Sequence, residues 1–330
     1  MLLSDDNHLK SEMGADMQLS DRIGRRLKLQ DLHVLMAVVQ AGTMGKAAQR
    51  LNTTQPNISR AIAELEHAFG VRLLDRHRHG IAPTEYGRAL LDCGAAVFDD
   101  LRQGVKKIEL LADPGAGEVR VGSTNYTGET FVTAVIERLS RRHPRMTFHL
   151  VTSEDDTDKL YRHLSERNVD FVIARRGGRL SDKTLAFETL YDPSSVVVAG
   201  SRSPWARRRR LTLAELVNEP WVLPPADGVM STAYLDIFSA NGLDHPRIAV
   251  FASPPAARLN LVATGRFLTI HTSVLRLSNS PKITVLPVKL QLAGAPVGII
   301  TLKNRTLSPT AQLFLDEARE VAKPLGRRKW

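Results

Sequence analysis

Residues 43–70, TMGKAAQRLNTTQPNISRAIAELEHAFG, limit the folds open to this chain more than any other stretch. Ala47, Ala48 and Leu51 fall on one side of a short helix, and Ile58, Ile62, Leu65 and Phe69 then recur at intervals of 4, 3 and 4, the period of an amphipathic helix. Between the two sets, Asn52, Thr53 and Thr54 are residue types whose side chains cap helix starts. Pro56 falls in the first turn of the second helix, where a missing N–H costs little. The stretch therefore predicts two short helices meeting at a tight corner.

The residues left facing outward at the start of the second helix are Thr54, Gln55, Asn57, Ser59 and Arg60, with no acid among them. A helix start of this kind suits the major groove of DNA, where Gln or Asn can pair with adenine and Arg with guanine or phosphate. Taken alone it reads more readily as a solvated helix start; the following residues reverse that. Residues 71–76 predict a short strand, 77–80 a turn and 81–84 a returning strand, so a basic hairpin carrying Arg76 and Arg78 follows.

Leu32, Ala37, Val38, Gly42, Ala47, Ala48, Leu51, Gln55, Pro56, Ser59, Leu65, Glu66, Gly70, Leu73, Leu74, Arg76, Pro83, Thr84 and Gly87 stand in the order and spacing of the LysR-type transcriptional regulators. The N-terminal part of the chain resembles that family over roughly sixty positions. Gly45 departs from it, since members more often carry Thr or another hydrogen-bonding residue there, which weakens a phosphate contact but not the motif. The resemblance implies that Thr54, Gln55, Pro56, Asn57, Ser59, Arg60, Arg76 and Arg78 meet DNA.

A scaffold helix is expected over 29–40, with Leu32, Leu35, Met36 and Val39 spaced to pack on Ala48 and Ile62. A second, long helix should begin at Thr84, which can cap it, and continue without proline until Pro114. Its 28 residues would span about 42 Å at ~1.5 Å per residue, more than one small domain needs. Leu91, Phe98, Val105 and Ala112 lie seven apart, with Gly94, Leu101 and Ile108 at the intervening heptad positions. Such a stripe can pack on its own domain or pair two copies; the resemblance favours pairing, through Leu91, Phe98, Leu101, Val105 and Ile108. Cys93, the single cysteine, excludes an internal disulfide, fits a reducing compartment and reads as a small packing residue on this helix.

Beyond the break at 113–117 the pattern changes. Strands are expected over 118–123, 146–152, 169–175, 195–200, 221–223, 247–252, 267–271 and 297–302, with helices over 130–142, 156–167, 213–218, 231–240, 256–263 and 310–322. This alternation predicts mainly parallel sheets with ligands beyond the strand C-termini. The fold class is then α+α/β: an N-terminal winged helix-turn-helix, a long linker helix, and a two-lobed α/β effector domain that resembles type 2 periplasmic binding proteins. Expected bounds are a tail over 1–27, the DNA-binding domain over 28–84, the linker over 85–113 and the effector domain over 118–330. Its first lobe would comprise 118–192 and 290–325, its second 193–289. The resemblance places effector contacts at Ser123, Thr124, Asn125 and Thr127 after the first strand, at Thr152 and Ser153 after the second, at Arg175 after the third, and at Pro225 and Phe251 in the second lobe. The alternative is that these Ser and Thr side chains only cap helices.

The formal charge of +10 hides its distribution. Residues 1–112 hold 15 basic side chains against 14 acidic ones, yet 22–88 hold 11 against 5, an excess that an acidic tail conceals. The run 207–210, RRRR beside Trp205, reads as a solvated loop. No HExxH, GxSxG, Walker A loop or strand-borne GxGxxG occurs, so neither a metal site nor an enzyme is expected. No apolar run reaches membrane-spanning length, and the start lacks a secretion signal; Met13 and Met17 are alternative starts. The expected protein is a cytoplasmic, nucleoid-associated regulator of transcription. It would have no cofactor and an unknown small-molecule effector, from sugar or aromatic-acid catabolism. Its partners would be a double-stranded DNA operator, itself as homodimer or homotetramer, and RNA polymerase. A solute receptor would need export, and a hydrolase would need a visible nucleophile with its base.

Overall fold

The computed structural model describes residues 27–77, 80–113, 115–153, 157–176, 184–225, 229–277, 280–290 and 295–326. The expected tail over 1–27, save Leu27, and the wing residue Arg78 lie outside them. Two compact units divide near Leu101.

The first unit opens with α1 (Leu29–Ala41), α2 (Met44–Arg50) and α3 (Gln55–Phe69), followed by the antiparallel hairpin β1 (Leu74–His77) and β2 (Gly80–Pro83). Leu35, Val38, Ala47, Ala48, Ile58, Ile62 and Leu65 form one buried core with Leu73 and Leu74. Leu51 is half-buried against that core, but Phe69 is 46% exposed, because the last turn of α3 runs past it and the two leucines of the next segment close it instead. The Thr43 hydroxyl caps α2 by accepting from Lys46 N at 3.2 Å. Thr54 holds the N-cap position of α3 without a side-chain cap, and Asn52 turns the corner through a left-handed φ of 49° rather than by capping.

The hairpin is tied down from both sides. Glu66 of α3 accepts from Leu73 N at 2.8 Å and Leu74 N at 3.2 Å, and Ile81 N donates to Gly42 O at 2.9 Å. Gly80 sits at φ +135°, and a Cβ there would stand 3.0 Å from Gly42 O, so only glycine fits this approach.

Helix α4 (Glu85–Ala112) has its predicted length, with Thr84 Oγ1 accepting from Gly87 N at 3.0 Å at its start. Its expected stripe divides. Leu91 joins the first unit's own core, and the Phe98 ring lies 5.8 Å from that of His33, so these two are not simply surface seam positions. Leu101, Val105, Ile108 and Leu111 are 49 to 75% exposed. Cys93 is exposed rather than packed, because the neighbouring Gly94 takes the face toward Leu32 and Met36.

The second unit contains two five-stranded sheets. In the first, strand order is β4 (Arg145–Ser153), β3 (Ala116–Thr124), β5 (Phe171–Arg175), β12 (Val297–Leu302) and β6 (Leu185–Tyr191). In the second it is β11 (Ile283–Val285), β7 (Ser195–Gly200), β10 (Leu268–Thr272), β8 (Trp221–Leu223) and β9 (Ile248–Phe251). Helices α5 (Thr133–Arg142), α6 (Thr157–Ser165) and α9 (Pro309–Gly326) cover the first sheet, and α7 (Val229–Ala240) and α8 (Pro255–Ala263) cover the second.

The sheets are mixed, not mainly parallel: β12 runs antiparallel to both β5 and β6, and β7 antiparallel to both β10 and β11. The chain passes from the first sheet after β6 and returns in β12, which enters between strands laid down earlier. Side chains cross between the lobes. Tyr126, from the loop after β3, packs in the second lobe's core with Trp221 and Tyr234, and Val274, just after β10, packs in the first lobe's core with Phe131 and Tyr191.

Candidate functional sites

The start of α3 presents Thr54, Gln55, Pro56, Asn57 and Arg60 exposed and Ser59 half-buried. Gln55 and Ser59 line a shallow surface pocket with Thr43, Gly45 and the wing residue Arg76. Met44 is the hub of that surface: its sulfur accepts from the Ser59 hydroxyl at 3.1 Å and from Arg76 Nη2 at 3.9 Å. Asn57 Nδ2 donates to Thr53 Oγ1 at 3.2 Å, which orients the amide. The start of one helix, the start of another and the wing thus share one face, with hydrogen-bonding groups and a cation on it and no acid in the first turn of α3. Met44, which the sequence pattern did not single out, and Glu66, named there only within the family pattern, are the positioning residues of this surface.

In the second unit the C-terminal ends of three adjacent strands collect most of the expected effector residues. Ser123 and Thr124 of β3 pair in register with Thr152 and Ser153 of β4, and Arg175 ends β5. Ser123 is buried and its hydroxyl donates to Ile173 O at 2.7 Å, while the hydroxyls of Thr124 and Thr127 bond each other at 3.2 Å. These hydroxyls fix the strand ends and the following turn. Asn125 is half-buried, Thr152 exposed. From Asn125 the chain makes one α-turn, widens into a π-helical turn over Gly128–Val132 and continues as α5; such wide turns recur at functional sites. In the second lobe Pro225 is half-buried after β8, and Phe251 lies largely exposed on the edge strand β9, so neither is drawn into the group described next.

Between the lobes stands a group the sequence did not announce. Arg258 of α8 is fully buried; its Nη2 donates to the Tyr126 hydroxyl, and its Nη1 to Ala252 O and to Ser253 O, the latter at 2.7 Å. Its guanidinium lies 5.1 Å from the centre of the Tyr126 ring, a cation–π approach across the lobes. The His271 ring sits 5.6 Å from the same ring, and Tyr234 is buried beside it.

Burial, with the positive charges of Arg258 and Arg175 nearby, pushes the His271 pKa down to about 4. Burial, then the neighbouring Tyr126 hydroxyl, holds the Tyr234 phenol well above its ordinary value. The Glu129 carboxyl is held above its ordinary range by partial desolvation, with Arg258 pulling the other way. The only marks of this group in the sequence, a lone arginine in the apolar run PAARLNLVA and a histidine in the buried strand LTIHT, do not show that the two meet.

Away from these surfaces, the arginines 207–210 are exposed, and Arg208 pairs with Glu215 at 3.2 Å. Among the described residues no group of histidine, cysteine, aspartate or glutamate is placed to hold a metal ion, and no helix is long and apolar enough to cross a membrane.

Residues 29–88 match the model of the bacterial regulatory helix-turn-helix protein, lysR family, and residues 112–323 match the LysR substrate binding domain. The HTH-type transcriptional regulator GbpR of Azospirillum brasilense is 27% identical over 92% of this chain and 89% of its own. The small neutral protease regulatory protein of Streptomyces lividans is 30% identical over 81% of this chain and 78% of its own. A full-length OxyR variant from Pseudomonas aeruginosa shares the fold, with a TM-score of 0.59 at 19% identity over 92% of this chain and 99% of that one. The family's members are regulators rather than enzymes. With both of its domains matched in order along one chain, this protein belongs to the LysR family of DNA-binding transcriptional regulators.

Proposed function

We propose that this regulator reads its operator with the first turn of α3, that its DNA engagement is modulated by a small molecule held between the two lobes, and that it governs sugar or aromatic-acid catabolism. The observation that carries the reading is the shared face of Gln55, Ser59 and Arg76, which offers base-pairing and phosphate-pairing groups from two elements at once. Thr54, Pro56, Asn57 and Arg60 flank that face, and Arg78 would extend it along the wing. The exposed stripe from Leu101 to Leu111 supports pairing of two copies, so that two winged motifs meet two half-sites. Ser123, Thr124, Asn125, Thr127, Thr152, Ser153, Arg175, Pro225 and Phe251 border or support the effector cleft. Effector binding favours one arrangement of the lobes by its differential affinity, and so alters how the paired copies present their motifs. Its place is the cytoplasm, on the nucleoid, with RNA polymerase as a further partner.

Footprinting the purified protein on the DNA flanking its own gene is the test. Two protected half-sites about one helical turn or more apart are expected (~34 Å). Protection without a defined pair of sites would remove the reading.

A further inference from the structure

Two buried nitrogens stand against Tyr126 without a hydrogen-bond partner. They are Arg258 Nε and His271 Nε2, and both side chains are at least nine-tenths buried; Tyr234, buried beside them, interacts with the Tyr126 hydroxyl. The imidazole's role is fixed by its other nitrogen. His271 Nδ1 lies 2.9 Å from Thr272 N and 3.4 Å from Thr272 O; the closer contact, with an amide that can only donate, makes Nδ1 the acceptor and puts the ring proton on Nε2.

The charge points the same way. Among the described residues no carboxylate reaches ion-pair distance of Arg258, and Glu129, whose charge it feels, faces solvent. Arg175 extends its positive field over Tyr234 and His271 from the other lobe. A buried cation without a counter-ion and an unmatched imidazole nitrogen beside it are each expensive to keep, and one ligand answers both.

We propose that the effector is a small organic carboxylate, bound against the Nε edge of Arg258 with a further bond from His271. A carboxylate is planar and accepts through two oxygens, as one guanidinium edge requires. The hydroxyls of a neutral sugar can accept these bonds, but they bring no negative charge to the buried guanidinium. The proposal rests on the effector reading above and adds the ligand's class and its anchor residues.

The experiment uses full-length protein in thermal-shift and calorimetric titrations with acetate, pyruvate, benzoate and succinate, each beside its amide, and with galactose and inorganic phosphate. At least one carboxylate is expected to raise the melting temperature while its amide does not. Arg258→Gln should weaken that carboxylate at least tenfold, and Arg258→Lys, which keeps the charge and loses the fork, should recover part of it.

Equal binding of the carboxylate by Arg258→Gln and wild type overturns the proposal. So does binding of galactose or phosphate with no carboxylate bound, which leaves the effector cleft standing and only the class wrong. Absence of binding by every carboxylate likewise overturns it, with ordered water then the partner of the donors. Specific DNA binding, measured alongside, reports separately on the regulator reading.

Discussion

His271 sets a pH limit on the effector domain. Its folded pKa of about 4 lies below the unfolded value of 6.5, so the unfolded chain takes up the proton first as pH falls. The contribution is fully present above pH 6.5 and is lost through the window down to about 4, to a total of about 3 kcal/mol for this buried ring. Urea melts between pH 7 and 4 should show that loss, and a His271→Leu variant should flatten it; equal slopes would place the acid sensitivity elsewhere. In the other unit, Gln55→Ala should weaken specific DNA binding by about 1 to 3 kcal/mol and relax preference at one base pair, read by gel shift against a mutated operator.

The residues at α3 were legible because their pattern is local: a helix start, its proline and its missing acids all lie within seven positions. Arg258 was not, since nothing in PAARLNLVA says that its one arginine will reach a tyrosine 132 residues away.

At the scale of elements, α4 was readable from end to end, because Thr84 and Pro114 bound it and nothing within breaks it. Its two halves were not separable, since the same heptad spacing serves a domain's own core at Leu91 and an uncovered face at Ile108. That difference yields a prediction. Leu101→Glu together with Val105→Glu should turn the protein monomeric in sedimentation while leaving the melting of the winged unit unchanged; an intact dimer would refute the seam.

The strands β6 and β11 escaped sequence reading for a physical reason. Both are edge strands, one has no two-residue burial period and the other spans three residues, so their pairing depends on partners far along the chain. The antiparallel insertion of β12 is hidden in the same way, because strand direction in a sheet is settled by what lies beside it. Gly87 shows how tightly elements can be specified. A Cβ there would stand 2.0 Å from Leu73 O, so Gly87→Ala should destabilise the winged unit by roughly 2 kcal/mol or more in denaturant melts.

For the whole molecule, the excess of cations over 22–88 means that affinity for DNA should fall steeply with salt, the logarithmic slope counting about 0.9 per phosphate contacted. A gel shift at two ionic strengths measures it, and a flat dependence would contradict a phosphate-gripping surface.

The crossing of Tyr126 into one lobe and Val274 into the other acts as a pair of reciprocal latches. Springing the lobes apart means drawing a phenol ring out of a close-packed interior, at a cost of about 2 kcal/mol for that side chain alone. By that estimate an arrangement with the ring withdrawn is some thirty-fold rarer than the one described.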